Sequence, residues 1–574
     1  MDTITIFAWI LRHTRFSLTV GFAFTLLTPF LGHSAPQALA SSTPSYRYSK
    51  ITASGASSTS YIVAVATDQS GDVYVAGTWN GTVTFDGQSG HDTRTTANQS
   101  VFLTEYSPAG AYGWTKVFST TSGSSSATGV AVHGSDVYVT GNFNGAVTFD
   151  GVGGSHTQTT LGQDGFLTKF TATASGATYD QTSILDAPTG ADYVSSSWVA
   201  ADSSGNVYLT GYFQGSITFD GPGGTDSHSS ANLTSFLTKF NSGGTYGFTK
   251  YFDTTAASSF AQGFGVATDT FGNVYMTGYF QGTVVFDGLG GTDSQSTSGS
   301  GDAYMTKFNA NGTYGYTKTF DTSDGYAQGN AITTDPAGNI FITGNWSSTV
   351  IFDGIGGSDS RVDPGGSTFL TKYNANGTYG YTKVFGGTGT AIGYGLATDS
   401  SGSVYLGGSF SGTVVFDGAG GSDSVTSASN NSFLTKFNQD GSYAWTRAPL
   451  VAGGSVVGSN AGSSLATDSY GNIYLAADFR GTVTFDGSGD TDTQTSADDS
   501  GFVLSYQMSA SPRPTSPVSP GPILPGAPDT GLVSQSSADP AATLALLVAA
   551  ALSFRVAFYK LRHSQDRPTR LSKR

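Results

Sequence analysis

The chain has 574 residues, of which 79 are glycine and only 11% are charged, which excludes long helices as its main element. It contains no cysteine, which excludes disulfides, a thiol nucleophile and cysteine-ligated metals. The formal charge of −15 argues against nucleic-acid phosphate as a partner. Abundant aromatic residues in short alternating runs predict an all-β protein.

Residues 1–40 have the pattern of a secretory signal peptide. Two arginines precede a mostly apolar run at 16–31, and a small-x-small pattern ends at Ala40. We expect cleavage after Ala40. The alternative is an uncleaved membrane helix, for which the run is slightly short and is interrupted by Pro29.

Seven copies of one pattern then occupy residues 45–510. Their most regular marker is Phe-Asp-Gly, which recurs at separations of 64 to 70 residues. A period of this length, filled with strand-like segments, predicts a propeller blade rather than a helical solenoid unit. The marker aspartates are Asp86, Asp150, Asp220, Asp287, Asp353, Asp417 and Asp486.

The fourth copy gives the clearest prediction of strands. Alternating apolar residues predict four main strands at 264–268, 274–280, 303–309 and 314–320, and a short strand at 283–286 between the second and third. Asp269 and Gly272 predict a turn between the first two strands, and Asn311-Gly312 predicts a hairpin between the last two.

The seventh copy stops after its third strand, near Gln507. The segment Tyr46–Ile51 supplies the missing piece, because it matches the fourth strand of the fifth copy, Tyr379–Val384, position by position. We therefore expect the N-terminal segment to complete the last blade and to close a seven-bladed β-propeller of four-stranded blades.

Two short motifs recur in the copies. Asp202–Gly211 reads D-S-S-G-N-V-Y-L-T-G, and Lys307–Gly312 reads K-F-N-A-N-G. These motifs resemble those of the SBBP-type bacterial β-propeller repeat over about 50–510, which implies a propeller and no particular activity. The second copy departs most, because it lacks the turn aspartate and a longer segment, Thr171–Asp192, replaces the regular fourth strand.

The C-terminal part has a different composition. Residues 511–528 are rich in Pro, Ser and Gly, which predicts a semi-rigid stalk. Residues 527–574 contain Ala-Pro-Asp-Thr-Gly, an apolar segment at about 541–559 that predicts a transmembrane helix, and a basic end. This order resembles the LPxTG-type sorting signal of sortase-anchored surface proteins, with Ala527 in place of Leu. The resemblance implies cleavage between Thr530 and Gly531.

The alternative for this region is a permanent membrane anchor with its basic tail on the inner side. In both cases we expect the propeller outside the cell, anchored to the bacterial cell wall or cytoplasmic membrane. Signal peptidase and, in the first case, sortase would process the chain.

Pairs of aspartates six residues apart follow most of the Phe-Asp-Gly markers. Two carboxylates and backbone carbonyls on a glycine-rich loop offer the oxygen ligands that Ca²⁺ prefers. The alternative is that the first aspartate bonds its own turn amides and the second is solvated. Calcium is the only cofactor that the sequence suggests. The candidate ligands are Asp86, Asp92, Asp220, Asp226, Asp287, Asp293, Asp353, Asp359, Asp417, Asp423, Asp486 and Asp492.

The recurring lysines and several aromatic residues each allow a functional and a structural interpretation. Lysines of the third and fourth strands either form a basic girdle for an anionic glycan or protect sheet edges from pairing. Trp79, Trp346, Tyr212 and Tyr279 either contact a ligand at a propeller face or pack between blades. The third-strand lysines are Lys169, Lys239, Lys307, Lys372 and Lys436, and the fourth-strand ones are Lys116, Lys250, Lys318 and Lys383.

Catalysis has weak support in the sequence. Glu105 is the only glutamate, which disfavours the tyrosine-and-glutamate arrangement of sialidases. We expect a non-catalytic binding or adhesion protein that uses loops at a propeller face to bind a glycan or a surface protein. The alternatives are a structural envelope component with calcium-stabilised loops and an extracellular glycan hydrolase.

Overall fold

The structure, a computed structural model, describes residues 44–508 except for 88–90, 257, 355–356, 419–420, 452–454, 458–463 and 486–491. These residues form 33 β-strands and contain no helix, so none in this range is suited to cross a membrane. The chain divides into two compact units, 1–511 and 512–574. The second unit, the predicted signal peptide with Ala40, and the predicted sorting residues Thr530 and Gly531 lie outside the described residues.

The strands of the first three copies are regular and follow one another closely. Strand β1 (Ser45–Ile51) precedes them. The first copy contains β2 (Ala53–Ser54), β3 (Thr59–Thr67), β4 (Val73–Thr84), β5 (Thr93–Tyr106) and β6 (Tyr112–Val117). The second contains β7 (Ser119–His133), β8 (Asp136–Thr148), β9 (Thr157–Thr173) and β10 (Gly176–Leu185), and the third contains β11 (Tyr193–Ala201), β12 (Val207–Thr218), β13 (Ser227–Phe240) and β14 (Tyr246–Tyr251).

The remaining copies repeat this order. The fourth contains β15 (Phe260–Thr268), β16 (Val274–Gln281), β17 (Thr283–Val285), β18 (Ser294–Ser296), β19 (Asp302–Phe308) and β20 (Tyr314–Thr322). The fifth contains β21 (Tyr326–Thr334), β22 (Ile340–Ile351), β23 (Ser360–Tyr373) and β24 (Tyr379–Gly387), and the sixth contains β25 (Thr390–Thr398), β26 (Val404–Val415), β27 (Ser424–Phe437) and β28 (Tyr443–Arg447). The seventh contains β29 (Leu450–Val451), β30 (Ser455–Val457), β31 (Ser464–Thr467), β32 (Asn472–Thr484) and β33 (Thr493–Gln507).

Each copy is an antiparallel meander in which the main strands pair in chain order. In the fourth copy, for example, β15 pairs with β16, β16 with β19 and β19 with β20. The end of the fourth strand then pairs with the second strand of the next copy, as Asp321 of β20 does with Ile351 of β22. This junction links neighbouring copies, and the strands form sheets of six, eight, twelve, two and five strands.

The first strands of the copies contact one another in sequence. Strand β3 contacts β7, and the contacts continue through β11, β15, β21 and β25 to β31, which in turn contacts β3. Threonine hydroxyls at the ends of these strands reinforce the series: Thr398 Oγ1 donates to Thr334 O at 2.8 Å, and Thr334 Oγ1 donates to Thr268 O at 2.8 Å. Thr67 Oγ1 likewise donates to Thr467 O at 3.0 Å, between the first and last copies.

The N-terminal strand completes the last copy, as its sequence predicted. Strand β1 pairs antiparallel with β33, from Ser45 opposite Gln507 to Ile51 opposite Phe502. Its continuation β2 pairs with β4 of the first copy, Ala53 opposite Thr84. The same kind of junction joins the other copies, so the two ends of the repeat region are joined in the way that neighbouring copies are.

The phenylalanine of Phe-Asp-Gly forms the aromatic core of each copy. Phe352, for example, is fully buried, and its ring centroid lies 5.2 Å from that of Phe369 on the third strand. The equivalent pairs in the other copies are 4.8 to 5.3 Å apart. Burying one such side chain stabilises the fold by about 1.5–3 kcal/mol, which explains why the marker is so regular.

The predicted strands of the fourth copy are confirmed, except that its first strand begins four residues earlier, at Phe260. The predicted turn is also present, because Asp269 Oδ1 accepts the amides of Phe271 and Asn273 at 2.9 Å and Gly272 has a φ of +79°. The second copy differs from expectation. Its fourth strand, β10, is ten residues long and pairs regularly with β9 apart from one bulge near Tyr179.

Candidate functional site

The first strands carry a β-bulge at equivalent positions in six copies, where one extra residue interrupts the register with the second strand. The bulge explains the last glycine of the D-x-x-G-N-V-Y-x-x-G motif: a Cβ on Gly278 would lie 1.9 Å from the carbonyl oxygen of Gln262. The bulged residues differ widely in type, although the strands around them are similar. They are Val63, Thr128, Ser197, Phe264, Asn330 and Tyr394.

A cavity of about 290 Å³ lies among these first strands and receives five of the bulged residues, all except Val63. Six copies, from the second to the seventh, contribute residues to it. We call it the axial cavity, because the strands that line it are those that contact one another in series. A concave site of this kind, lined by apolar and polar side chains, is where ligands commonly bind.

Aromatic rings form one part of the axial cavity. The ring centroid of Tyr212 lies 5.9 Å from that of Tyr193 and 6.3 Å from that of Phe264. Burial, and next the neighbouring Tyr212, raise the pKa of Tyr193. Tyr394 enters from the sixth copy and is half-buried. Rings that are held in place by neighbours but still partly exposed offer flat apolar faces to a ligand.

Amide side chains form another part of the cavity. Gln328 Nε2 donates to Asn330 Oδ1 at 2.8 Å, and Asn330 Nδ2 donates to Gly393 O at 2.9 Å. Asn330 Nδ2 also lies 3.2 Å from Asn345 Oδ1, and Asn345 Nδ2 donates to the hydroxyl of Tyr326 at 2.7 Å. These hydrogen bonds fix the orientation of the amide groups. The side-chain amide of Gln328 can still donate and accept further hydrogen bonds.

The axial cavity is uncharged. None of its lining residues in the described part of the chain is acidic or basic. Burial raises the pKa of Tyr394, against the opposing hydrogen bond with Ser409, so this tyrosine stays neutral. The chemistry available in the cavity is therefore stacking and neutral hydrogen bonding.

Of the two interpretations of Trp79 and Trp346, the structure favours packing over contact with a ligand. Trp79 and Trp346 are only 3% and 1% exposed, and each packs edge-on against the phenylalanine of its own Phe-Asp-Gly marker, Phe85 and Phe352 respectively. Tyr212, by contrast, lines the axial cavity. Tyr279 is half-buried beside Phe260, with ring centroids 5.6 Å apart.

The first aspartate of each candidate calcium pair accepts amides of its own loop where the structure describes it. Asp287 Oδ2 accepts the amide of Thr292 at 2.8 Å, and Oδ1 accepts that of Asp293 at 3.0 Å. Asp220 and Asp353 make the same two bonds, Asp86 and Asp417 one of them, and Asp486 lies outside the described residues. Partial burial would raise the pKa of Asp287, but these amides lower it overall.

The second aspartate of each pair accepts a tyrosine hydroxyl from the neighbouring outer strand. In the fourth copy Asp293 accepts from Tyr314 and also accepts from Gln295 Nε2 at 2.6 Å. The same tyrosine bond is made by Asp92, Asp226, Asp359, Asp423 and Asp492. No group of three or more acidic or histidine side chains converges for a metal among the described residues. Calcium binding stays a prediction, and these oxygens already serve as turn and strand acceptors.

The third-strand lysines do not lie at sheet edges. Strand β19 pairs on both sides, and Lys307 Nζ lies 5.8 Å from the ring centroid of Tyr275 and 5.9 Å from that of Tyr316. The lysines at this position therefore make cation–π contacts. The first copy has Glu105 here instead, and burial and the carboxylates of Asp72 and Asp68 raise its pKa to about 7.

Comparison with known proteins gives a partial resemblance. No family model matches the chain. An uncharacterized WD repeat-containing protein of Acanthamoeba polyphaga mimivirus is 24% identical over 213 residues, which are 32% of this chain and 15% of that protein. The chain therefore spans only a small part of that relative's length.

Three solved structures are similar at low sequence identity and low TM-score. A protein of unknown function from Dyadobacter fermentans is 10% identical with a TM-score of 0.31, over 81% of this chain and 99% of that one. A polysaccharide lyase, an ulvan lyase, is 10% identical with a TM-score of 0.33, over 76% and 93%. A leech intramolecular trans-sialidase is 11% identical with a TM-score of 0.31, over 75% and 65%.

Proposed function

We propose that the repeat region is a seven-bladed β-propeller whose last blade is completed by β1. The cyclic contacts among the first strands support this architecture, as does the junction that β1 and β2 make between the last and first copies. The WD-repeat name of the mimivirus relative is consistent with it, because WD repeats form propeller blades.

We propose further that the protein is a non-catalytic binding or adhesion protein whose ligand is a glycan. The observation that carries this proposal is the axial cavity, where half-buried aromatic rings stand beside fixed amides and no charged group. Sugar rings have apolar faces that stack on aromatic side chains and hydroxyl groups that pair with amides and tyrosines. The acidity of the chain as a whole makes nucleic acid an unsuitable ligand.

The cellular location that we propose is the bacterial surface, with the repeat region outside the cell. This proposal rests on the sequence patterns of residues 1–40 and 527–574, with signal peptidase and sortase, or a membrane helix, as the means of display. It fits a glycan ligand, because extracellular and wall polysaccharides are then within reach.

A glycan array tests the proposed function. The purified protein is applied to an array that contains uncharged, acidic and amino-sugar glycans, and Phe264→Ala is compared with wild type. We expect binding to a subset of uncharged glycans and its loss in the variant. Phe271→Ala is the matched control, because Phe271 is 73% exposed in a turn and does not line the cavity. Absence of glycan binding by the wild-type protein, or equal binding by Phe264→Ala, would contradict the proposal.

A further inference from the structure

Aromatic residues occupy equivalent positions in three neighbouring copies, the third, fourth and fifth. Tyr193, Phe260 and Tyr326 each begin the first strand of the third, fourth and fifth copies. In the first and sixth copies the residues at this position are Thr59 and Thr390. The aromatic side chains are thus concentrated on one side of the series of first strands.

These residues continue the rings of the axial cavity. We call the set the aromatic arc; it consists of Tyr193, Tyr212, Phe264, Phe260, Tyr279 and Tyr326. Its ring contacts are Tyr193 to Tyr212 at 5.9 Å, Tyr212 to Phe264 at 6.3 Å and Phe260 to Tyr279 at 5.6 Å between centroids. All six side chains are half-buried, so each is held by the protein and still presents part of its surface.

Hydrogen bonds fix the polar ends of the arc. Tyr326 accepts from Asn345 Nδ2 at 2.7 Å, and Tyr279 donates to the carbonyl oxygen of Ser300. Phe260, Gln262 and Phe264 alternate along β15 with the buried residues between them and so lie on one face of the strand. The arc is therefore a fixed surface that leads along β15 into the axial cavity.

The electrostatics of the arc favour an uncharged ligand. The arc contains no basic residue. Asp302, an acidic group that acts electrostatically on Tyr279, is 2% exposed and hydrogen bonded to Thr322. Asp324, also near this end of the fifth copy, pairs with Ser323 and with the amide of Thr349. A chain of uronic acids would find no cation here to neutralise its carboxylates.

We propose that the aromatic arc extends the axial cavity into a row of subsites for several consecutive sugar units of an uncharged oligosaccharide. The inference rests on the proposed glycan-binding function and adds to it the class of ligand: an extended, neutral chain rather than a terminal monosaccharide or a polyanion. The axial cavity holds one sugar unit, and the rings of the arc stack on the units that follow it.

Calorimetry with ligands of increasing length tests this inference. Neutral oligosaccharides of one to six units, of the type that binds on the array, are titrated into wild type and Tyr193→Ala. We expect the affinity of the wild type to rise about fivefold with each of the first added units that meets a ring, since an aromatic contact contributes about 1 kcal/mol. Tyr193→Ala loses part of this gain, so its affinity rises less steeply with ligand length than that of the wild type.

Thr390→Ala is the matched control, because Thr390 has the position of Tyr193 in a copy without the arc, and melting curves confirm that each variant folds. Affinity that does not change with length would overturn the inference and leave the proposed function intact. Equal affinity for an acidic chain of the same length, such as an oligogalacturonide, would also overturn it. No binding to any glycan would overturn the proposed function, and the inference with it.

Discussion

Tyr48 of the N-terminal strand packs on Gly110 of the first copy so closely that a Cβ on Gly110 would lie 2.9 Å from the Tyr48 ring. The same contact joins internal copies, as Tyr381 makes it with Gly441. A strand from the beginning of the chain therefore makes, at the junction between the last and first copies, the contact that fourth strands make elsewhere. Arg47 adds a hydrogen bond from Nη2 to Pro108 O at 2.8 Å.

This relationship predicts the stability of two matched variants. Tyr48→Ala should lower the free energy of unfolding by about 2–3 kcal/mol, below the full cost of removing a buried aromatic because Tyr48 is half-buried. Tyr381→Ala, with the same environment at an internal junction, should cost a similar amount. Denaturant unfolding of both variants measures these free energies. If only Tyr381→Ala lost stability, the N-terminal strand would not stabilise the fold as the internal fourth strands do.

The core phenylalanines should dominate the stability of each copy. Phe352→Ala removes a fully buried ring that contacts Phe320, Phe369 and Trp346, so we expect a loss of about 3–5 kcal/mol. Phe271→Ala removes an exposed ring of the same size and should stay within about 0.5 kcal/mol of wild type. Comparable losses in the two variants would contradict the packing described here.

Glu105 should make stability depend on pH. Its pKa is raised to about 7 in the folded protein from 4.5, so its contribution is fully present below pH 4.5 and is lost as the pH rises through 7. Glu105→Gln should therefore gain stability relative to wild type between pH 5 and pH 7.5, by about 1 kcal/mol once solvent screening of this partly exposed group is allowed for.

Paired melting curves of wild type and Glu105→Gln at the two pH values test this. Contributions from Asp164 and Asp302, whose pKa values are also raised by burial, are shared by both proteins and cancel. A difference between the two proteins that does not change with pH would show that Glu105 has an ordinary pKa.

Calcium should have little effect on the folded protein. The oxygens of Asp287 and Asp293 already accept hydrogen bonds from loop amides and from Tyr314, which a cation would have to replace. We expect the melting temperature to change by less than about 1 °C between chelator and millimolar Ca²⁺, since binding to the folded state alone would raise it. A saturable rise in melting temperature that Asp287→Asn abolishes would contradict this expectation and show that the loops bind calcium. It would favour the alternative of a structural envelope component.

The sequence predicted those features of the fold that depend on local patterns. The turn at Asp269 and the strands from Val274 onward follow from alternation and from turn residues, and β1 follows from its match to β24. The start of β15 was missed because Gln262 and Gly263 interrupt the alternation of large apolar residues. Strand β19 pairs on both sides, so Lys307 does not lie at a sheet edge. The sequence of one strand could not show this, because the pairing depends on its neighbours.

The axial cavity could not be located from the sequence, because it forms only where first strands from different copies meet. One signal was available. Phe264, Asn330 and Tyr394 occupy the same position in neighbouring copies, and this position varies in chemistry while its neighbours repeat. A position whose residue type varies among otherwise similar repeats is a candidate for ligand contact. Trp79 and Trp346 are not such a signal, because they stand where other copies have a buried phenylalanine.

The most direct test of glycan binding in the axial cavity is calorimetric titration of Tyr394→Ala and Tyr470→Ala with an uncharged glycan that binds the wild type. Tyr394 lines the cavity, and Tyr470 is 64% exposed in a turn outside it, so the two variants lose the same side chain. We predict about fivefold weaker binding by Tyr394→Ala, the loss of one aromatic contact of about 1 kcal/mol, and unchanged binding by Tyr470→Ala. Equal affinity of the two variants, with both folded, would contradict a binding site in the cavity.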